Sequence, residues 1–127
     1  ASCRVFAGLD RSVLRDLSPQ HRALRRAIPD VYEGFGALSR AAFYDGALDR
    51  RTKELIALAI GVVEGCDGCI ASHGQAAARA GATREQAAEA IGVAFLMHGG
   101  PATIHGARAY EAFCEFADAV EADESVA

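Results

Sequence analysis

The sequence predicts an all-α protein, and three observations predict it. Apolar residues recur at steps of three and four through most of the chain, the spacing of one helix face. Ser, Asp and Thr stand where helices would begin, and Gly or Pro where they would end. No stretch of useful length alternates apolar and polar residues as a half-buried strand does. Composition agrees: aromatic residues are 7%, Trp is absent and Ala is abundant, which suits close-packed helices better than a β-sandwich. Six or seven helical segments in 127 residues leave little room for a sheet and fit one domain spanning residues 1–127.

The elements follow in order. Residues 1–10 carry no period and are expected to be flexible. Asp10 to Leu17 suits a short helix. Ser18-Pro19 then reads as a fresh start, because Ser caps free amides and Pro suits the first helical position. That helix should stop near Ile28, since Pro29 disfavours helical geometry before it. Asp30 is placed to cap the next helix, in which Val31, Phe35, Leu38 and Ala42 share one face, and Asp45-Gly46 ends it. Asp49 caps a fourth helix that continues to Val63. Its segment from Leu55 to Ile60 is apolar on every side, so it is buried inside the domain or against another subunit. After Glu64-Gly65, a helix reaches Ala80 and closes at Gly81. Thr83-Arg84-Glu85-Gln86 matches a capping box; it opens a helix with Ala87, Ile91, Ala94, Phe95 and His98 on one side, ended by Gly99-Gly100-Pro101. The last helix should run from about Ala102 to Val120, with Ile104, Ala107, Phe113, Cys114 and Ala117 facing inward. The acidic tail, residues 121–127, is expected to fray.

Charge and length exclude several classes of function. The net charge is −4, and binding nucleic acid would call for a basic patch. Arg22, Arg25 and Arg26, with Arg11 and Arg15 before them, read as a solvated helix face. The longest apolar run, Leu55 to Val63, is far shorter than the ~20 residues of a membrane span. No secretory signal is visible, although the chain's one Met is Met97 and a leader could have been trimmed. The chain is long enough to bury a core without staples. Its four cysteines, Cys3, Cys66, Cys69 and Cys114, are badly spaced for a disulfide framework. A C-x-x-C pair in an unstapled chain points to redox or metal chemistry in a reducing compartment, here the cytoplasm. A thioredoxin-like fold would also carry such a pair, but it needs strands that this sequence lacks.

Cys66 falls at the start of a helix and Cys69 one turn on, so the two sulfurs can face each other. Unpaired amides and the positive end of the helix dipole stabilise a thiolate there. His73 lies four residues after Cys69 on the same face and can move a proton near neutral pH. Glu54 precedes the most apolar run of the chain, where a carboxylate is costly unless paired. If the two helices pack antiparallel, Glu54 orients His73 or relays its proton. Taken singly, each of these residues has a plainer reading: packing cysteines, a surface histidine, a solvated glutamate beside Arg50, Arg51 and Lys53. Zinc is the main chemical competitor, with Cys66, Cys69 and His73 as three ligands and His98, His105 or Cys114 as a fourth. Neither a second C-x-x-C nor an H-x-x-x-H supports it, so no metal is expected. His98 and His105 flank the Gly99-Gly100-Pro101 turn and read as capping or packing residues.

Three segments together, Arg51 to Ala59, Cys66 to His73 and Ala80 to Gln86, resemble the carboxymuconolactone decarboxylase superfamily. Within it they resemble the alkylhydroperoxidase D-like (AhpD-like) branch, over about residues 32–116. The resemblance implies an orthogonal all-helical bundle that assembles as a homo-oligomer, often a homo-trimer or homo-hexamer. It also implies a thiol-dependent peroxidase or disulfide reductase that uses neither metal nor flavin. The substrate would be a hydroperoxide or a disulfide, and the reductant an external dithiol protein. By the same carry-over Cys69 is the inner thiol, activated through His73 and Glu54, and Cys66 the more exposed partner that closes the disulfide. One position departs: well-characterised peroxidase members carry a second His just before the second Cys, where this chain has Gly68. With one proton carrier fewer, disulfide exchange is the less demanding reaction. Decarboxylase members generally lack the cysteine pair.

Overall fold

A computed structural model describes residues 11–126, and these form six helices with no strand among them. They are α1 (Arg11–Ala27), α2 (Pro29–Phe43), α3 (Arg50–Glu64), α4 (Asp67–Arg79), α5 (Arg84–His98) and α6 (Gly100–Val126). The expected flexibility of residues 1–10, and Cys3 with it, lies outside the described residues.

Most boundaries arise from local chemistry. Asp49 accepts a hydrogen bond from the Thr52 amide at 2.8 Å and starts α3. Thr83 and Gln86 exchange side-chain and backbone bonds in a full capping box that starts α5. At the end of α3, Gly65 turns left-handed with φ +62°, a conformation that costs other residues a clash at Cβ. That turn folds α4 back antiparallel along α3. Leu58, Val62, Ile70, Ile91, Phe113 and Phe116 fill the centre, and buried alanines from α4, α5 and α6 let the helices approach closely.

Several expectations need correction. The break at Ser18-Pro19 is absent: α1 runs straight through Pro19. The Ser18 hydroxyl accepts from Arg22 at 2.9 Å instead of capping. This stretch of α1 is exposed, so water can satisfy the carbonyl that Pro19 leaves without an amide. Pro29, not Asp30, opens α2; Ile28 is the N-cap and makes no side-chain bond, while Asp30 lies in the first turn near the positive end of the dipole. The last helix starts at Gly100 and continues through the tail to Val126. Arg84 holds Glu121 at 2.7 Å and Asp118 at 2.5 Å, which ties that end of α6 to the start of α5. Ile104, Ala107 and His98 face outward; Phe95 is 39% exposed but lays its ring against Gly106 of α6, and Phe113, Cys114 and Ala117 are buried as expected. The apolar run of α3 is divided: Leu58 is buried, but Ile56 and Ile60 are exposed. The shared face of Val31, Phe35 and Leu38 exists and is exposed too.

Candidate active site

The site is built where α3 and α4 meet. Cys66 is the N-cap of α4, and its sulfur accepts from the Cys69 amide at 3.2 Å. The two cysteines are joined as a disulfide, and both are partly buried. Gly61 on α3 makes this closeness possible: a Cβ there would stand 3.3 Å from the Cβ of Cys69. On the other side, the Leu17 side chain of α1 comes within 3.1 Å of where a Cβ on Gly68 would be. The glycine between the cysteines thus lets α1 lie over the first turn of α4.

One turn beyond Cys69, His73 meets Glu54. His73 Nδ1 lies 2.8 Å from Glu54 Oε1. An ionised carboxylate only accepts, so Nδ1 carries the proton and Nε2 is the nitrogen free to take or give one. Glu54 is only 2% exposed, and it is the one buried charged or polar side chain among the described residues. Such burial is tolerable because both its oxygens are engaged: Oε2 lies 3.6 Å from the exposed guanidinium of Arg50. Arg50 also lies over the ring of Phe43, whose centroid stands 5.4 Å from that of His73. Phe43, the last residue of α2, therefore packs on the imidazole.

The structure brings Glu54 and His73 together, with the cysteine pair one turn earlier on α4. Three neighbours were not anticipated. Arg50 was legible as the residue four before Glu54 on the same helix. Phe43 and Leu17 carry no local signal, since they arrive from other helices. Of the remaining candidates, Cys114 is buried in α6, and His98 is exposed at the end of α5. His105 is partly buried beside Gly65, with its Nε2 3.1 Å from where a Cβ on that glycine would be. Its Nδ1 is buried without a hydrogen-bond partner. Among the described residues no three His, Cys, Asp or Glu side chains converge to hold a metal ion, so the zinc set of Cys66, Cys69, His73 and a fourth ligand is not assembled.

The chain matches the sequence pattern of the carboxymuconolactone decarboxylase family over residues 29–121. It is 49% identical over 84 residues to a Paracoccus denitrificans protein known as uncharacterized protein 4 in cox locus, covering 66% of this chain and 76% of that one. An uncharacterized protein of Cupriavidus necator is 39% identical over 100 residues, 79% of this chain and 88% of its own length. Among solved structures, the apo form of a carboxymuconolactone decarboxylase family protein from Legionella pneumophila superposes with a TM-score of 0.79 at 45% identity, covering 81% of this chain and 92% of that one.

Proposed function

The chain belongs to the carboxymuconolactone decarboxylase family, and from that premise we propose that it is a thiol-dependent oxidoreductase of the alkylhydroperoxidase D-like kind. It cycles Cys66 and Cys69 between dithiol and disulfide. The observation that carries the reading is the Cys66–Cys69 pair at the start of α4, with the His73–Glu54 hydrogen bond one turn further along.

In the reduced protein, α4's first turn stabilises a Cys69 thiolate. With a hydroperoxide, that sulfur attacks the terminal peroxide oxygen; the O–O bond breaks, an alcohol leaves with a proton, and Cys69 becomes a sulfenic acid. Cys66 then attacks the Cys69 sulfur, water departs, and the disulfide closes. An external dithiol protein returns two electrons and two protons. With a disulfide substrate, Cys66 attacks first and Cys69 resolves the mixed disulfide. In either case His73 Nε2 exchanges a proton with the thiol or leaving group, and Glu54 keeps the imidazole in the required tautomer. Gly68 leaves only this one relay beside the pair, which favours disulfide exchange over peroxide turnover.

Titration of the reduced protein with a hydroperoxide, followed by mass spectrometry of tryptic peptides, tests the proposal. The peptide holding both cysteines should lose two hydrogens and saturate at one equivalent. Stoichiometric zinc that survives purification, or turnover indifferent to thiol alkylation, would point instead to a metal-bound module or to acid–base chemistry by His73 and Glu54 alone.

A further inference from the structure

Arg50 opens α3, and its guanidinium is held from two sides. It lies 3.6 Å from Glu54 Oε2 and over the ring of Phe43, 5.9 Å from the centroid. Neither contact spends its donors. A separation of 3.6 Å is too long for a hydrogen bond, and a ring face attracts the charge of the whole group. Among the described residues no oxygen accepts a hydrogen bond from this guanidinium, and the side chain is 58% exposed. Its five N–H groups therefore face water, next to the partly exposed ring of His73. The other cations of this segment are occupied. Lys53 Nζ donates to the Tyr44 carbonyl at 2.6 Å, and Arg51 pairs with Asp49 at 3.4 Å. Asp45 accepts from the backbone amide of Arg50 at 2.6 Å, which fixes where α3 begins.

Glu54 already has its short partner in His73, at 2.8 Å. A guanidinium stacked on a ring and stood off from that carboxylate is a preorganised fork. Such a fork matches one carboxylate, with two parallel N–H···O bonds and a single charge on each side.

We infer that Arg50 binds a carboxylate of the substrate, and that the disulfide reduced at Cys66 and Cys69 is an acidic one. The inference rests on the dithiol exchange proposed above and names the class of disulfide that enters it. The span follows from α3. Gly61 faces Cys69, and Glu54 holds the guanidinium, seven residues earlier on the same helix. At 1.5 Å per residue the substrate's carboxylate stands about 10 Å from its reacting sulfur. An extended chain advances about 3.5 Å per three bonds, so about eight or nine bonds join the two groups. Phe43 gives that chain an apolar wall beside His73. In the reaction the Cys66 sulfur bonds to one substrate sulfur and the other leaves as a thiol. Cys69 then displaces the first, and the two protons of the protein dithiol end on the two substrate thiols.

The test reduces the full chain and follows its loss of two hydrogens by intact mass. Three probes are used: the disulfide of ω-mercaptooctanoate, the same disulfide as its diamide, and the short disulfide of mercaptoacetate. The parent should be oxidised about tenfold faster by the octanoate form than by its diamide. Arg50→Gln should abolish that preference, and Arg50→Lys should restore only part of it, because a point charge lacks the fork. Arg51→Gln removes the same charge one residue on and should keep the preference. The mercaptoacetate disulfide, whose carboxylate lies too near its sulfur, should distinguish Arg50→Gln from the parent no more than the diamide does. Unchanged circular dichroism of each variant secures the comparison. A parent without the preference, a preference that survives in Arg50→Gln, or one lost equally in Arg51→Gln would overturn the carboxylate site. Equal slowing of acid and amide in Arg50→Gln would do so too, since Arg50 would then serve Glu54 alone. These outcomes leave the dithiol reading standing. A parent chain that none of the three disulfides oxidises would refute that reading, and the carboxylate site with it.

Discussion

Replacing Glu54 separates a catalytic relay from a buried structural ion pair. Glu54→Gln keeps the shape and leaves an amide oxygen to accept from His73 Nδ1. It removes the charge and turns an amide NH₂ toward Arg50. His73 is 28% exposed and Arg50 58% exposed, so water can solvate both when the anion is gone. The penalty of stranding a fully buried partner therefore does not arise. A charge-assisted hydrogen bond is worth roughly 1.5–3 kcal/mol and a neutral one roughly 0.5–1.5, so Gln should cost about 1 kcal/mol. Glu54→Ala loses the bond entirely and leaves a cavity, for a total of about 3 kcal/mol. At roughly 4 °C per kcal/mol for a domain of this size, the melting temperature should fall by about 4 °C and about 12 °C. A domain stable by ~5–15 kcal/mol remains folded after the Gln change, so any loss of activity is not unfolding. General acid–base help is worth roughly 10²–10⁴ in rate. Glu54→Gln should slow dithiol exchange at least tenfold and His73→Gln about a hundredfold, and the double variant should be no slower than His73→Gln alone. Stopped-flow exchange with a chromogenic disulfide, beside thermal denaturation, measures both quantities. Effects that multiply in the double variant, or an unchanged rate in Glu54→Gln with a lowered melting temperature, would refute the relay.

The remaining predictions concern the pair, the turn before it and the end of α6. Cys69→Ser should abolish peroxide turnover, and Cys66→Ser should trap Cys69 as a sulfenic acid, detectable as a single added oxygen in the intact mass. Gly65→Ala places a side chain on a φ of +62° and against His105, and should cost about 2 kcal/mol, read as a lowered denaturation midpoint. Arg84→Gln should loosen the last turns of α6, seen as faster amide exchange beyond Asp118. The Arg84 guanidinium holds the Glu121 carboxyl below its ordinary value of 4.5. The stabilisation from a lowered carboxyl value is complete above that ordinary value and is lost as pH falls through the lowered one. The difference in melting temperature between the parent and Arg84→Gln should therefore be full at neutral pH and shrink below about pH 4.

How much of the molecule was legible depended on distance along the chain. The caps at Asp49 and Thr83 and the stops at Gly65 and Pro29 act over at most four residues, and all were readable. So was the C-x-x-C pair with His73 on one helical face. The misreadings have the same origin in reverse: Ser18-Pro19 has the local form of a helix start, but an exposed helix tolerates Pro19 because water completes the bonding. The acidic tail looked frayed because its anchor, Arg84, lies 37 residues before Glu121.

Sequence alone thus determined the helical class, the helix ends at Asp49, Gly65 and Thr83 and the C-x-x-C pair one turn before a histidine, because these rest on periodicity and on hydrogen bonds within a turn. Only the tertiary structure decided that Glu54 is buried against His73, 19 residues away. It alone also set Phe43 and Leu17 around the site and left the apolar face of α2 open. Which face of a helix is covered depends on what folds against it, and contacts between distant segments leave no mark on the spacing of either one.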